Sequence, residues 1–254
     1  MVRWLRQRGL SVSSCESPDG TFLPYLDGAK GREEFFTLLH SYPFRLFLRD
    51  ILAQRDRFLP ERLGPFFTPA SVREMARRAE SLGILARGRG NRIRLVAAGV
   101  TDFGDTFEWY VAQRLARQFG ADALWGVTVP DLPCGGDFDV LAILSGKLLL
   151  LEAKTSPPKH IERREMDAFV RRVRVLSPDL AVFLVDTHLR MKDKLAPMLS
   201  ESLAAAGVRD GEVNRVEREV FGWDRRLYLG NSKRDVAGNL ALCFRDHFLG
   251  RFFD

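Results

Sequence analysis

Cysteine is scarce in this 254-residue chain, and the three present, Cys15, Cys134 and Cys243, are odd in number and unpaired in spacing. That excludes a disulfide framework and a zinc motif, and it fits a reducing, cytoplasmic setting. The four histidines, His40, His160, His188 and His247, lack metal-ligand spacing. No Gly-rich phosphate loop ending in Lys-Ser/Thr is present, and Gly88-x-Gly90 is too short for a dinucleotide fingerprint, so ATP-driven action is not encoded. Long apolar runs are missing as well. The longest is split by Ser145-Gly146-Lys147, short of the ~20 residues that span a bilayer, and no signal peptide opens the chain. A soluble protein without repeats or low-complexity tracts is expected.

What the chain does hold is charge inside an apolar hairpin. Residues 135–155 read Gly-Gly-Asp-Phe-Asp-Val-Leu-Ala-Ile-Leu-Ser-Gly-Lys-Leu-Leu-Leu-Leu-Glu-Ala-Lys-Thr. The apolar runs flanking Ser145-Gly146 predict two strands buried on both faces and joined by a tight turn. A two-residue loop sets Asp139 opposite Glu152 and Asp137 opposite Lys154. The two-residue period of side chains then puts Asp139, Glu152 and Lys154 on one face at one end of the hairpin. Burying an ion costs several kcal/mol, about as much as folding can spare, so such a cluster must be internally paired or hold a metal. One reading is a Lys154 salt bridge to Asp137 or Asp139. The other is a divalent-cation site, with carboxylate oxygens for Mg²⁺ or Mn²⁺ and a lysine beside a nucleophilic water.

An acid on one strand followed by Glu152-Ala153-Lys154 on the next resembles the PD-(D/E)xK nuclease superfamily. That core runs helix, three strands, helix, strand, an α/β order that residues 101–187, about a third of the chain, reproduce. Asp105 to Phe119 reads as a helix, with Phe107, Val111, Leu115 and Phe119 four apart. Ala123 to Val129, Phe138 to Leu144 and Lys147 to Ala153 read as strands. Ile161 to Leu176 reads as an amphipathic helix and Leu180 to Val185 as a buried strand. Glu108 lies on or beside the apolar stripe of the first helix, and an inward carboxylate needs a partner; pairing with Arg114 or Arg117 is the plain alternative. The resemblance implies that Asp139, Glu152, the Ala153 carbonyl and Glu108 ligate the metal, and that Lys154 positions or deprotonates the water. Asp137 is a further candidate. A literal Pro130-Asp131 falls in a loop and is set aside as a decoy.

Upstream, Phe44 to Gln54 reads as a helix, Pro60 to Phe66 as a turn or short helix, and Ser71 to Leu82 as a helix opened by a Ser71-x-x-Glu74 capping box. Residues 83–96 read as a hairpin with a basic, glycine-rich tip. This succession resembles a winged helix. Arg73, Arg77, Arg78, Arg87, Arg89, Arg92 and Arg94 are then candidates for phosphate contacts, or else a solvated face. A net charge of +6, with Arg far outnumbering Lys, agrees with nucleic acid as a substrate.

A winged helix before such a core looks most like the effector half of CRISPR-associated nucleases activated by cyclic oligonucleotides. A restriction enzyme of the winged-helix type is similar too. The implied function is metal-dependent nuclease action on DNA or RNA in defence against foreign nucleic acid, with a separate sensor or activator and a homodimer as partners and no membrane. The alternative is a DNA-binding regulator on an inactive nuclease fold. The domain reading is an arm or short hairpin over 1–30, a winged-helix-like domain over 31–98, and a restriction-endonuclease-like αβββαβ core over 99–254. Toward the C-terminus, residues 188–199 and 203–206 read as helical, 226–229 as an edge strand, and 239–253 as a helix with an apolar face for core or dimer contact.

Overall fold

The computed structural model describes residues 1–54, 67–88, 93–130 and 132–249. It is mixed α/β, and its chain divides into two compact units, residues 17–106 and residues 1–16 with 107–254.

The first unit is helical. Helices α2 (Gly28–Leu38), α3 (Tyr42–Gln54) and α4 (Pro69–Ser81) precede an antiparallel pair, β1 (Leu85–Arg87) and β2 (Ile93–Leu95), in which Leu85 faces Leu95. Phenylalanines fill its core: Phe22 meets Phe35 edge-on at 5.9 Å, Phe35 meets Phe44 at 6.5 Å, and Phe44 stacks on Phe47 at 6.2 Å. The cap of α4 differs from the sequence reading. Thr68 is the N-cap and accepts from the Ser71 amide, while Ser71 stands at the third helical position and closes the box through its own hydroxyl. Pro69 explains the shift, since its fixed φ and missing N–H suit the first helical turn. The element expected over 60–66, and Arg89 and Arg92, lie outside the described residues.

In the second unit the first residues form a helix, α1 (Val2–Gln7), and a bridge from Ser14 to Thr128, not a loose arm or hairpin. Leu5 is fully buried in the main core, which supplies the reason. Then come α5 (Gly104–Phe119), β3 (Asp122–Thr128), β4 (Asp137–Leu144), β5 (Lys147–Lys154), α6 (Arg163–Leu176) and β6 (Leu180–Val185). This is the expected order of helix, three strands, helix and strand. The segment read as two helices over 188–206 is one, α7 (Leu195–Ala205). Two strands were not foreseen, β7 (Asn214–Glu217) and β8 (Val220–Trp223). They turn at Arg218-Glu219, with Arg218 at φ 55°, a left-handed position that Gly or Asn would normally mark. Finally β9 (Leu227–Asn231) and α8 (Val236–Leu249) complete the unit.

The seven strands lie in the order β3-β4-β5-β6-β9-β8-β7. Strands β5, β6 and β9 are parallel neighbours, so β9 is an interior strand rather than the expected edge. Its five buried residues, Leu227 to Asn231, fit that position. The β4–β5 register is the one that a Ser145-Gly146 turn demands: Leu144 faces Lys147 and Val140 faces Leu151. Both turn residues have positive φ, 50° and 74°, the left-handed geometry that matches the twist of a two-residue hairpin.

Helices cover both faces of the sheet. On one, Leu141, Leu148, Leu150, Ala181, Phe183 and Val185 pack with Met166, Phe169 and Val170 of α6 and with Leu195, Leu199 and Leu203 of α7. On the other, Tyr228 reaches Asp246 of α8, and α5 packs on α8 through Phe119 against Phe244 at 4.8 Å. Arg114 reinforces that pairing, with its Nη2 donating to both Asp235 oxygens at 2.8 and 2.9 Å. The α8 helix is thus core on its apolar face, with Leu240, Leu242, Phe244 and His247 buried. Among the described residues no helix is long and apolar enough to cross a membrane.

Candidate active site

The β4–β5 ladder runs as far as Val140 opposite Leu151, and beyond that pair the strands part. Alternation would direct the next inward amide, that of Ala153, toward Phe138. It donates instead to Asp139 Oδ2 at 2.7 Å. On the far side of β4, Gly126 stands between the pairs Trp125–Val140 and Val127–Phe138, hence across from Asp139, with φ 54°. A glycine kink next to a parted ladder turns the end of the hairpin into a recess lined by side chains.

Within this recess Glu152 is 2 % exposed, and Lys154 Nζ lies 2.8 Å from its Oε1. Asp139 keeps some residue surface, but its carboxyl is enclosed by protein. Burial, and then the Glu152 charge, push the Asp139 carboxyl up to about 7, against the opposing pull of Lys154, the Ala153 amide and Arg172. Burial alone would lower the Lys154 ammonium, but Glu152 and Asp139 outweigh it and the pKa is raised. Lys154 is therefore a fixed cation at neutral pH. Of its two expected roles, positioning or deprotonating the water, the raised pKa favours positioning.

A residue not foreseen completes the cluster. Arg172, on α6, donates from Nη1 to both Glu152 oxygens, at 3.0 and 3.0 Å. Glu165, one of the charges acting on Lys154, lies seven residues earlier on that helix and so on the same flank. The helical pattern held the signal: Glu165 and Arg172 flank the buried stripe Met166, Phe169 and Val170 rather than its wet back.

Other expected site residues fall elsewhere. Asp137 is exposed and accepts from Thr128 Oγ1 at 3.0 Å, so neither it nor Asp139 is the salt-bridge partner that Lys154 finds in Glu152. Glu108 is half-buried on α5, the helix packed with α8 on the face opposite Glu152 and α6. Among the described residues no three His, Cys, Asp or Glu side chains are grouped to hold a metal ion, so Glu108, Asp139 and Glu152 do not form the expected triad. Asp131 lies outside the described residues.

Asp139, Glu152 and the Ala153 carbonyl are the groups here that could hold a metal ion. Two hard carboxylates crowded until one is raised toward neutrality fit a divalent cation, whose charge would relieve that repulsion. Mg²⁺ characteristically takes only one or two carboxylates and keeps several waters.

The arginines of the helical unit are largely engaged with acids. Arg77 and Arg78 meet Glu74 at 2.5 and 3.1 Å, Arg78 also reaches Glu34 at 3.7 Å, and Arg87 reaches Glu80 at 3.1 Å. Arg73 and Arg94 are exposed and carry no ion pair among the described residues.

No family model matches the sequence. No curated protein matches it either. Among solved structures, a similar chain is protein VC1899 from Vibrio cholerae, 14% identical with a TM-score of 0.49, matched over 99% of this chain and 60% of that one. The chain thus spans about 60% of that protein's length, and a likeness this distant carries nothing about activity.

Proposed function

We propose that the protein is a metal-dependent endonuclease that hydrolyses phosphodiester bonds of DNA or RNA, acting in defence against foreign nucleic acid. The observation that carries this reading is the convergence of Asp139, Glu152 and Lys154 at the parted end of the β4–β5 hairpin. Asp139, Glu152 and the Ala153 carbonyl would hold Mg²⁺ or Mn²⁺, which supplies Lewis-acid polarisation of the phosphate and a more acidic water. Lys154 keeps its ammonium beside Glu152, where it orients the attacking water and balances charge developing on the phosphate. The Ala153 amide fixes the Asp139 carboxyl through a 2.7 Å hydrogen bond. The helical unit with its basic hairpin is the winged-helix-like module of this reading, and Arg73 and Arg94 are its best-placed phosphate contacts. A homodimer and a separate activating protein belong to the same proposal.

The second reading, a nucleic-acid-binding regulator on an inactive nuclease fold, is favoured by Arg172 closing both oxygens of Glu152. A cleavage assay separates them. Supercoiled plasmid, single-stranded DNA and RNA are incubated with Mg²⁺ or Mn²⁺ and wild type, Glu152→Ala or Lys154→Ala. The nuclease reading expects metal-dependent cutting that both substitutions abolish. Tight nucleic-acid binding without cutting by any of the three proteins favours the regulator.

A further inference from the structure

Arg172 holds Glu152 in an unusual way. An arginine that exists to lock a carboxylate presents two nitrogens in parallel, one to each oxygen. Here a single nitrogen, Nη1, straddles both oxygens at 3.0 and 3.0 Å. Nε is buried and has no hydrogen-bond partner among the described residues. The guanidinium thus spends one donor group on Glu152 and leaves Nε without a partner among the described residues.

The surroundings make this contact replaceable. Glu152 already has a second cation, Lys154 Nζ at 2.8 Å from Oε1, so the carboxylate is over-supplied with positive charge on that side. The two acids remain close enough for the Glu152 charge to raise the Asp139 carboxyl. A divalent cation between the two acids would relieve that repulsion directly, at the cost of Coulomb repulsion with Arg172. Arg172 is 20 % exposed while Glu152 is 2 % exposed, so the arginine has solvent to move into and the carboxylate does not.

We propose that Arg172 is a latch that occupies Glu152 in place of a divalent cation and yields the carboxylate when the cation arrives. The inference rests on the nuclease reading of this recess and adds its regulation: the resting protein is closed to metal by its own α6 helix. Arg172 acts here through Glu152 and is a positioning residue. The occupant it competes with is a hard dication of the Mg²⁺ or Mn²⁺ class, since the groups on offer, those of Asp139 and Glu152, are carboxylate oxygens.

The test is Mn²⁺ titration by calorimetry, without nucleic acid, of wild type, Arg172→Gln, Arg172→Lys and Glu152→Gln. The latch requires Arg172→Gln to bind Mn²⁺ more tightly than wild type by about tenfold or more, and Glu152→Gln to lose binding. Arg172→Lys, which keeps the charge on a single point donor, should fall between wild type and Arg172→Gln, and it serves as the deciding variant if Arg172→Gln does not fold. A merely structural arginine gives the reverse order, because its loss loosens the site and weakens binding. Equal or weaker binding by the Arg172 variants, with Glu152→Gln still losing it, overturns the latch and leaves the metal site standing. Mn²⁺ binding that is absent from every protein, or unchanged in Glu152→Gln, overturns the metal reading and the latch together.

Discussion

The β1–β2 hairpin and the β4–β5 hairpin are both antiparallel and both carry charge, but they treat it differently. Arg87 on β1 is exposed and meets Glu80 at 3.1 Å across water-facing surface. Glu152 on β5 is buried and meets Lys154 and Arg172 at 2.8 and 3.0 Å. The first arrangement can be made and broken with little consequence, as exposed pairs contribute about 0–1 kcal/mol. In the second, each ion depends on the others, because removing one partner of a buried pair costs about 3–5 kcal/mol. Burial, rather than charge itself, separates the two hairpins.

That contrast can be broken at several points. The largest effect is expected from Glu152→Ala and Asp139→Ala, each of which should reduce metal-dependent cleavage by about 10³-fold or more, on the scale of losing an essential group. Glu152→Ala should also lower the urea midpoint, since it strands Lys154 and Arg172; an unchanged midpoint would show that the pair is not buried in solution. Next comes Lys154→Gln, for which a loss of about 10²–10⁴-fold in cleavage is expected at unchanged fold, read by single-turnover kinetics.

In the unit of the other hairpin, Arg94→Glu on β2 together with Arg73→Glu on α4 should weaken nucleic-acid binding and flatten its salt dependence by about one unit of slope per lost phosphate contact, measured by anisotropy at several salt concentrations. The urea midpoint should barely move. If it falls as far as in Glu152→Ala, the distinction between the two hairpins fails.

The smallest effect concerns Asp179, just before β6. Burial would raise its carboxyl, but the Leu148 amide at 2.9 Å and Lys147 at 3.1 Å prevail and hold it below the usual range. A depressed folded pKa contributes stability above the unfolded value near 3.8, and that stability is lost as pH falls through the folded value. Asp179→Asn should therefore be less stable than wild type at pH 7, with the gap closing below about pH 4. A gap that persists unchanged at pH 3 would assign the effect to packing.

Residues whose fate is set by short-range rules were legible before the fold was known. Ser145-Gly146 fixes the β4–β5 register, and that register places Asp139, Glu152 and Lys154 together. Alternation and turn chemistry act within a dozen residues, so they are readable without the rest of the fold. Arg172 joins the recess from a different element, through the packing of α6 on the sheet, and only its position beside an apolar stripe hinted at it. For Glu108 the stripe predicts that it faces inward but not which face of the sheet α5 covers, and α5 packs on α8. The β7–β8 hairpin was missed because Arg218, not glycine, takes the left-handed turn position. Extending the ladder past Val140 puts Asp137 opposite Lys154, but there the strands have already parted.

The most direct measurement is a crystal grown with Mn²⁺ and examined by anomalous scattering at the parted end of the β4–β5 hairpin. The account predicts a peak about 2.0–2.3 Å from carboxylate oxygens of both Asp139 and Glu152, with Arg172 withdrawn from Glu152. Saturating Mn²⁺ that leaves Arg172 on Glu152 and gives no peak between the two acids would contradict it.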